Sequence, residues 1–320
     1  MSNPASNATI RDLGERGRGS PSAQGCQTLP PTLTKLSPSD LNRLLTQVFA
    51  ERSARQNPQE LLRAFAANKY AQPSTIDPVA YHLLESEILQ TARQFGSNCV
   101  MLSPAAVFGC CSSLGLVSQN KVVSATRGLE ILSDATNMLT LYVADGLRSG
   151  RIVRDDEPIH FCTTHRHLRV YRDLGPGMTA HFGLFVQISS GKAQSSYGFE
   201  CQTMGFHIDV VRAILGAKNV PYQIVLNRRP GYKDGERFFS TIVTNIHTEF
   251  PDIPVEVDRT PSTSAYYQGL RAVFQVQSDG RNIELGDLGF TDWTRQLLNR
   301  KSERLCISSL AIDRLMQITA

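Results

Sequence analysis

Residues Ile159 to Gly191 read IHFCTTHRHLRVYRDLGPGMTAHFGLFVQISSG, and the fold turns on this stretch. Two runs rich in β-branched and aromatic residues, Ile159 to Tyr171 and Ala180 to Ser189, flank a turn built on Gly175-Pro176-Gly177. Glycine supplies positive φ and proline presets its own, so the pattern predicts a long hairpin with a wide turn. The first strand carries Arg166, Arg169 and Arg172 toward its end, and the second carries His181 and Phe182 at its start. Cations and an aromatic ring therefore converge beside the turn, where guanidinium forks match phosphate oxygens and a ring face suits a base. Residues an odd number apart on a strand face opposite sides, so Arg166 and Arg169 are expected to serve different faces.

Working outward, 320 residues with 41% apolar content suffice for a sizeable core in one or two domains. The net charge of +4 is scattered, with no basic stripe, which gives no case for a dedicated nucleic-acid binder. The seven cysteines lack the regular spacing of a disulfide framework, no apolar run reaches membrane-spanning length, and no signal-peptide h-region opens the chain. A cytoplasmic protein with reduced thiols and no membrane partner is expected.

Residues 1–36 are rich in Ser, Pro, Gly, Asn and Gln and are expected to form a disordered arm. Residues 37–76 read as a small helical extension: Ser37-Pro38-Ser39-Asp40 starts one helix and Pro58 a second. The core is expected over 77–320. Asp77-Pro78 opens a longer helix that runs to a glycine stop at Gly96. Short strands are expected at Cys99–Leu102, Val122–Ser124 and Leu129–Leu132, with a small-residue loop from Gly109 to Gly115 and a helix over 137–147. Beyond the hairpin come helices over 206–215, 235–250, 291–299 and 310–318, and strands at 222–227, 255–257, 272–277, 282–285 and 305–308. Strands adjacent in sequence are joined mainly by hairpins, so the expected class is α+β, an antiparallel sheet flanked by helices.

Several residues admit two readings. His165 and His167 share a strand face and, with Cys162 or His160, have the chemistry of a zinc site. No second ligand pair completes it, and ordinary strand histidines are the plainer reading. Cys110-Cys111 reads as a nucleophile or, in its Val-Phe-Gly context, as small packing residues. Glu130 and Asp134 flank a pocket and suit a substrate amino group, while Asp134 also suits an N-cap. Arg169 and Arg314 are phosphate contacts or structural ion-pair arginines. Trp293 is expected to pack.

The order of these pieces resembles the catalytic core of class II aminoacyl-tRNA synthetases, closest to the histidyl branch and to the regulatory subunit of ATP phosphoribosyltransferase. The helix 78–95, Gly96, the strand and Pro104 resemble the family's first motif, which implies a homodimer. Leu168-Arg169, the Gly-Pro-Gly turn and His181-Phe182 resemble the second motif. Ile307-Ser308-Ser309-Leu310-Ala311-Ile312-Asp313-Arg314-Leu315 resembles the third. The resemblance implies that Arg169 holds the α-phosphate of ATP, that His181 and Phe182 flank and stack on its adenine, and that Arg314 meets the γ-phosphate, with Mg²⁺ on the phosphate oxygens. Ser133 to Gly146 is similar to a segment lining the amino-acid pocket, which implies substrate contacts from Glu130, Asp134 and Thr136. Gln187, Glu200 and the pair Tyr266 and Tyr267 complete the implied pocket. Two departures stand out: Tyr171 occupies the place of the second motif's acid, and Ser308-Ser309-Leu310 replaces glycines in the third. Because the chain ends six residues after Arg314, no anticodon-binding domain and no tRNA partner are expected. Two functions follow from the resemblance. One is an ATP-dependent ligase that adenylates an amino acid or related carboxylate and passes it to a small molecule or carrier protein in a specialised biosynthetic pathway. The other is a non-catalytic regulatory or ligand-sensing subunit that acts on an enzyme partner.

Overall fold

Helix caps and strand alternation place the elements close to where the sequence patterns put them. The computed structural model describes residues 31–171, 174, 179–260, 262, 264–278 and 280–319; the arm over 1–30, Arg172 and the Gly175-Pro176-Gly177 turn lie outside these. The chain divides into two compact units, the first ending at Arg52 and the second beginning at Ser53. The first holds a one-turn helix α1 (Pro31–Thr34), within the span expected to be arm, and all but the last residue of α2 (Pro38–Ser53), whose start is tied by Ser37 Oγ accepting from Asp40 N at 3.1 Å.

The second unit opens with α3 (Pro58–Ala67), started by a reciprocal capping box between Asn57 and Glu60. In α4 (Pro78–Gln94) Asp77 accepts from Ala80 N, proline takes the first turn, and Tyr81, Leu84, Ile88 and Ala92 recur on one buried face. There follow β1 (Asn98–Cys99), β2 (Ala105–Val107), α5 (Cys110–Leu114), β3 (Leu129–Ile131), α6 (Ala135–Ser149), β4 (Ile159–Leu168) and β5 (His181–Lys192). Next are α7 (Gly198–Ala217), β6 (Gln223–Arg228), α8 (Gly235–Glu249), β7 (Val255–Asp258), β8 (Gln268–Ser278) and β9 (Arg281–Thr291). The chain closes with α9 (Trp293–Leu298), β10 (Glu303–Ala311) and α10 (Ile312–Thr319).

Ten-residue register from Ile159↔Ser190 to Leu168↔His181 makes β4 and β5 the expected hairpin. They sit in an eight-stranded sheet of order β1-β4-β5-β10-β9-β8-β6-β7. The sheet is mostly antiparallel, but β1 runs parallel to β4 and β7 parallel to β6 at its two edges. The second case has a simple cause: α8 returns the chain between β6 and β7, and such a crossover delivers the next strand parallel. Of the expected strands, Cys99–Leu102 pairs only over Asn98–Cys99, and Val122–Ser124 contributes only a bridge from Ser124 to Glu130. The loop expected at 109–115 contains α5.

Strand alternation sorts the sheet into two faces. One is covered by α4, α7 and α8, whose Ile88, Ile208, Leu215, Phe238 and Ile242 pack with Phe185, Leu226, Phe274 and Leu310 from the strands. Each such fully buried side chain contributes about 1.5–3 kcal/mol. On this face a Cβ added at Gly183 would overlap the Tyr81 hydroxyl, so any side chain there requires Tyr81 to move. On the other face α6 and α9 cover Ile188, Leu305 and Ile307 with Leu139, Val143 and Trp293. The uncovered remainder of that face is a cleft.

Candidate functional site

The cleft has a volume of about 820 Å³ and is floored by the open face of β5, β9 and β10. The hairpin supplies two groups to it. Phe182 projects from the start of β5, and Arg169 follows the end of β4, its guanidinium 5.3 Å from the Phe182 ring centre. Arg169 N donates to Ala180 O at 3.1 Å and Arg169 Nε to Ser133 O at 2.9 Å, so the side chain is fixed between hairpin and α6. Burial opposes its charge, but Asp134, Tyr171 and Tyr266 together outweigh burial, and the guanidinium holds its proton more tightly than usual.

Asp134 is the N-cap of α6: Oδ1 accepts from Thr136 N at 3.0 Å and Thr136 Oγ1 at 2.5 Å. Its Oδ2 accepts from the Tyr266 hydroxyl at 2.8 Å. Burial, then Asp134, keeps the Tyr266 phenol protonated well above its ordinary range, as a phenol donating to a carboxylate should be. Burial, then Asp287, does the same for Tyr267. Thus Asp134, Thr136 and Tyr266 form one hydrogen-bonded end of the cleft, with Arg169 beside it.

The other end is built by strand pairing. Arg271 Nε donates to Asp287 Oδ2 at 2.9 Å, Ser309 Oγ donates to Asp287 Oδ1 at 3.0 Å, and Arg271 also pairs with Glu284. Arg314 donates to the Glu284 carbonyl from the first turn of α10. Asp313 accepts from Gly183 N at 2.9 Å through Oδ1; its buried Oδ2 has no hydrogen bond and lies 3.6 Å from Arg166. Burial raises the Asp313 carboxyl against the pull of Gly183 N and Arg166.

Of the residues singled out in the sequence, Asp134, Thr136, Arg169, Phe182, Tyr266, Tyr267 and Arg314 come together here. Four do not. Glu130 is 1% exposed and accepts from Gly109 N, Cys111 N and Gln119 Nε2 at 2.9, 3.1 and 3.0 Å, so its carboxylate is spent on starting α5. Gln187 lies an odd number of residues from Phe182 and therefore on the helix-covered face, where its Nε2 donates to His207 O at 3.4 Å. By the same parity His181 leaves the cleft and bonds Gln72 O at 2.8 Å and Arg166. Glu200 lines a separate cavity. Arg166, also on the helix-covered side, lies 5.2 Å from the Tyr81 ring, opposite in facing to Arg169 as strand parity requires.

Histidines of β4 serve the frame. His167 Nε2 accepts from Ala135 N at 2.8 Å and its Nδ1 faces His165 O at 3.0 Å, which fixes a neutral imidazole with the proton on Nδ1. Burial holds this ring well below its ordinary pKa. His160 bonds Ser189 Oγ at 2.6 Å, and among the described residues no group of three or more metal-ligating side chains forms. Burial, with Glu130 next, pushes Cys110 up to about 12, which keeps that thiol protonated and unreactive.

Sequence reasoning missed Arg229 and Arg271, and also the stretch 69–72. Lys69 Nζ and Tyr70 Oη both donate to Tyr171 O at 2.8 Å, while Gln72 O takes the His181 contact, so both stems of the hairpin are held. Arg229 follows a strand end, where sequence gives little signal of direction, Arg271 lies within β8 and meets its acids only across the β8–β9 pairing, and the carbonyl contacts of 69–72 span about a hundred residues of sequence.

No family model matches the chain, and no curated protein matches it. Solved structures do. An ATP phosphoribosyltransferase regulatory subunit/histidyl-tRNA synthetase from Bacillus halodurans C superposes with a TM-score of 0.61 at 9% identity, over 78% of this chain and 81% of that one. Apo histidyl-tRNA synthetase of S. aureus gives 0.59 at 12% identity, over 77% and 68%. An RNA binding domain of threonyl-tRNA synthetase from Cryptosporidium parvum Iowa II gives 0.59 at 8%, over 75% and 64%. At such identity the likeness is one of fold. Among the described residues no helix is long and apolar enough to cross a membrane.

Proposed function

From a class II aminoacyl-tRNA synthetase-like core, we propose that this chain is an ATP-dependent ligase that activates an amino acid or a related carboxylate as its adenylate. The observation that carries this reading is the convergence of Arg169, Phe182 and Arg314 in one cleft whose far end is Asp134, Thr136 and Tyr266. An ammonium group suits the carboxylate end, which places the substrate carboxyl toward Arg169. Its oxygen attacks the α-phosphorus of ATP and pyrophosphate leaves; the acyl group then passes to an acceptor, a small molecule or a carrier protein, releasing AMP. Guanidinium groups of Arg169 and Arg314 stabilise charge on the phosphates, and the Phe182 ring supports adenine. Mg²⁺ would enter with the nucleotide and neutralise phosphate charge; Asp313 Oδ2, buried and paired with Arg166 at 3.6 Å, does not fit as its ligand.

Two further parts belong to the proposal. A second copy of the chain covers the exposed apolar side chains Val107, Phe108, Leu129 and Ile131 on and beside the β2–β3 ribbon, giving a homodimer. The protein works in the cytoplasm, without tRNA.

One observation favours a second reading, a ligand-sensing subunit without chemistry that acts through an enzyme partner. Arg169 and Arg314 already donate to the Ser133 and Glu284 carbonyls, and Ser309 stands where a glycine would open the backbone to a nucleotide. ATP–pyrophosphate exchange with a panel of amino and carboxylic acids separates the two. Exchange with any of them supports the ligase; amino-acid binding with no exchange and no ATP binding at millimolar nucleotide supports the sensor.

A further inference from the structure

A second cavity, of about 290 Å³, shares no residue with the cleft and is lined by Gln194, Ser196, Glu200, Tyr232, Arg237 and Arg304 among others. At its base Glu200 is 2% exposed. Both of its partners use the same carboxylate oxygen: Tyr232 Oη donates to Oε1 at 2.8 Å and Arg304 Nε lies 3.4 Å from Oε1. Oε2 has no hydrogen-bond partner among the described residues. The residue is almost enclosed, and this oxygen is the one left open to a donor that enters the cavity.

Of the two cations around it, one is partly used and the other is open. Arg304 Nη1 donates to the Lys301 and Glu303 carbonyls at 3.0 and 2.9 Å, with no bond from Nη2 among the described residues. Arg237 uses its backbone N–H on Asp234, and its exposed guanidinium meets no acceptor among the described residues. The rim is strained as well: Ser196 and Tyr197 are consecutive non-glycine residues in the left-handed region, at φ 53° and 60°. Tyr197 is the N-cap of the twenty-residue helix α7 and gives it no side-chain cap, so the positive end of α7 adds to the same rim.

One acceptor open to a donor, two guanidinium groups and a helix N-terminus disfavour a simple cation and a simple anion alike. A cation would face two arginines, and a lone carboxylate would face Glu200. We propose that this cavity binds a small α-amino-acid zwitterion, its ammonium on Glu200 Oε2 and its carboxylate on Arg237 and the start of α7, at a site separate from the cleft. The volume suits a free amino acid and is too small for a nucleotide alongside it.

Titration calorimetry of the full chain with each common L-amino acid at millimolar concentration tests this, using wild type, Arg237→Ala and the cleft variant Arg169→Ala. At least one amino acid should bind Arg169→Ala as it binds wild type and should lose tenfold or more on Arg237→Ala. Because Arg237 is exposed, an unchanged urea midpoint will show that this variant folds. Glu200→Gln, which keeps an acceptor for Tyr232 and Arg304 but loses the charge, should show the same loss. If no amino acid binds wild type, or if every one that binds is lost with Arg169→Ala and indifferent to Arg237→Ala, the second site is refuted. Absence of ATP–pyrophosphate exchange bears on the cleft alone and leaves this result standing.

Discussion

Acidification should unfold this protein earlier than its carboxylates alone require, because two histidines are buried in neutral form. His167 and His207 are 1% and 0% exposed. Both nitrogens of each ring are engaged: His167 with Ala135 N and His165 O, His207 with Ser189 Oγ and Ser308 Oγ, each of the latter at 2.8 Å. Burial holds both well below the ordinary histidine value of 6.5. The sign follows from proton counting. Above about pH 6.5 neither state binds the proton and the histidines contribute no pH dependence. Below it the unfolded chain takes up protons that the folded chain refuses, so stability falls until the lowered folded values are reached. From about pH 7.5 to about pH 5.5 each ring should cost about 1.4 kcal/mol, and the pair about 3 kcal/mol. His160, held down to about 4 by burial, acts in the same direction. Asp313 and Asp209, raised by burial, act in the opposite direction. Urea denaturation across that pH range measures the loss directly. His160 contributes about as much as either of the other rings, so His207→Gln, which retains a hydrogen-bonding side chain without a titrating ring, should remove about a third of the slope. A midpoint that stays flat to pH 5.5, or a slope that His207→Gln leaves intact, would refute the reasoning.

Arg169→Ala should weaken ATP binding by about tenfold or more, since each bond to a charged group is worth about 1.5–3 kcal/mol and about 1.4 kcal/mol is one decade. Arg166→Ala should leave nucleotide binding alone and cost about 1–3 kcal/mol of stability by stripping the partner from buried Asp313, read by urea melts. Glu130→Ala should cost about 2–4 kcal/mol, because it orphans the Gly109 and Cys111 N–H groups; a near-neutral result would show that α5 does not depend on that carboxylate. Light scattering at micromolar protein should report a dimer, and Ile131→Asp should return a folded monomer; a monomeric wild type overturns the pairing of copies.

The long elements were legible because their signals are local. Alternation over Ile159–Leu168, the Asp77-Pro78 start and the Asp134 cap each lie within a few residues of what they determine. Parity alone was enough to separate Arg166 from Arg169, and the same rule applied to Phe182 removes His181 and Gln187 from the cleft. What could not be read is where a side chain spends its hydrogen bonds. Glu130 looks like a substrate ligand until its backbone partners, about twenty residues earlier, are placed against it. Arg271 and Asp287 meet only through the β8–β9 register, which a bulge at Phe274/Gln275 shifts. The parallel edges of the sheet were hidden for a similar reason, since pairing direction depends on the crossover and not on the strand.

The contacts made by Lys69, Tyr70 and Gln72 bear on where this protein can be cut. A chain begun at Asp77 would keep every strand and every helix from α4 onward, and by composition it would look like the whole core. It would nevertheless release Tyr171 O and His181, the two points at which the hairpin stems are moored. Such a fragment should melt nearly as the full chain does, because the sheet is untouched, while the stem beside Arg169 and Phe182 exchanges its amide hydrogens faster. A shortened protein that crystallises well could thus present its cleft in a relaxed form, and eight residues more at its start would restore the working one.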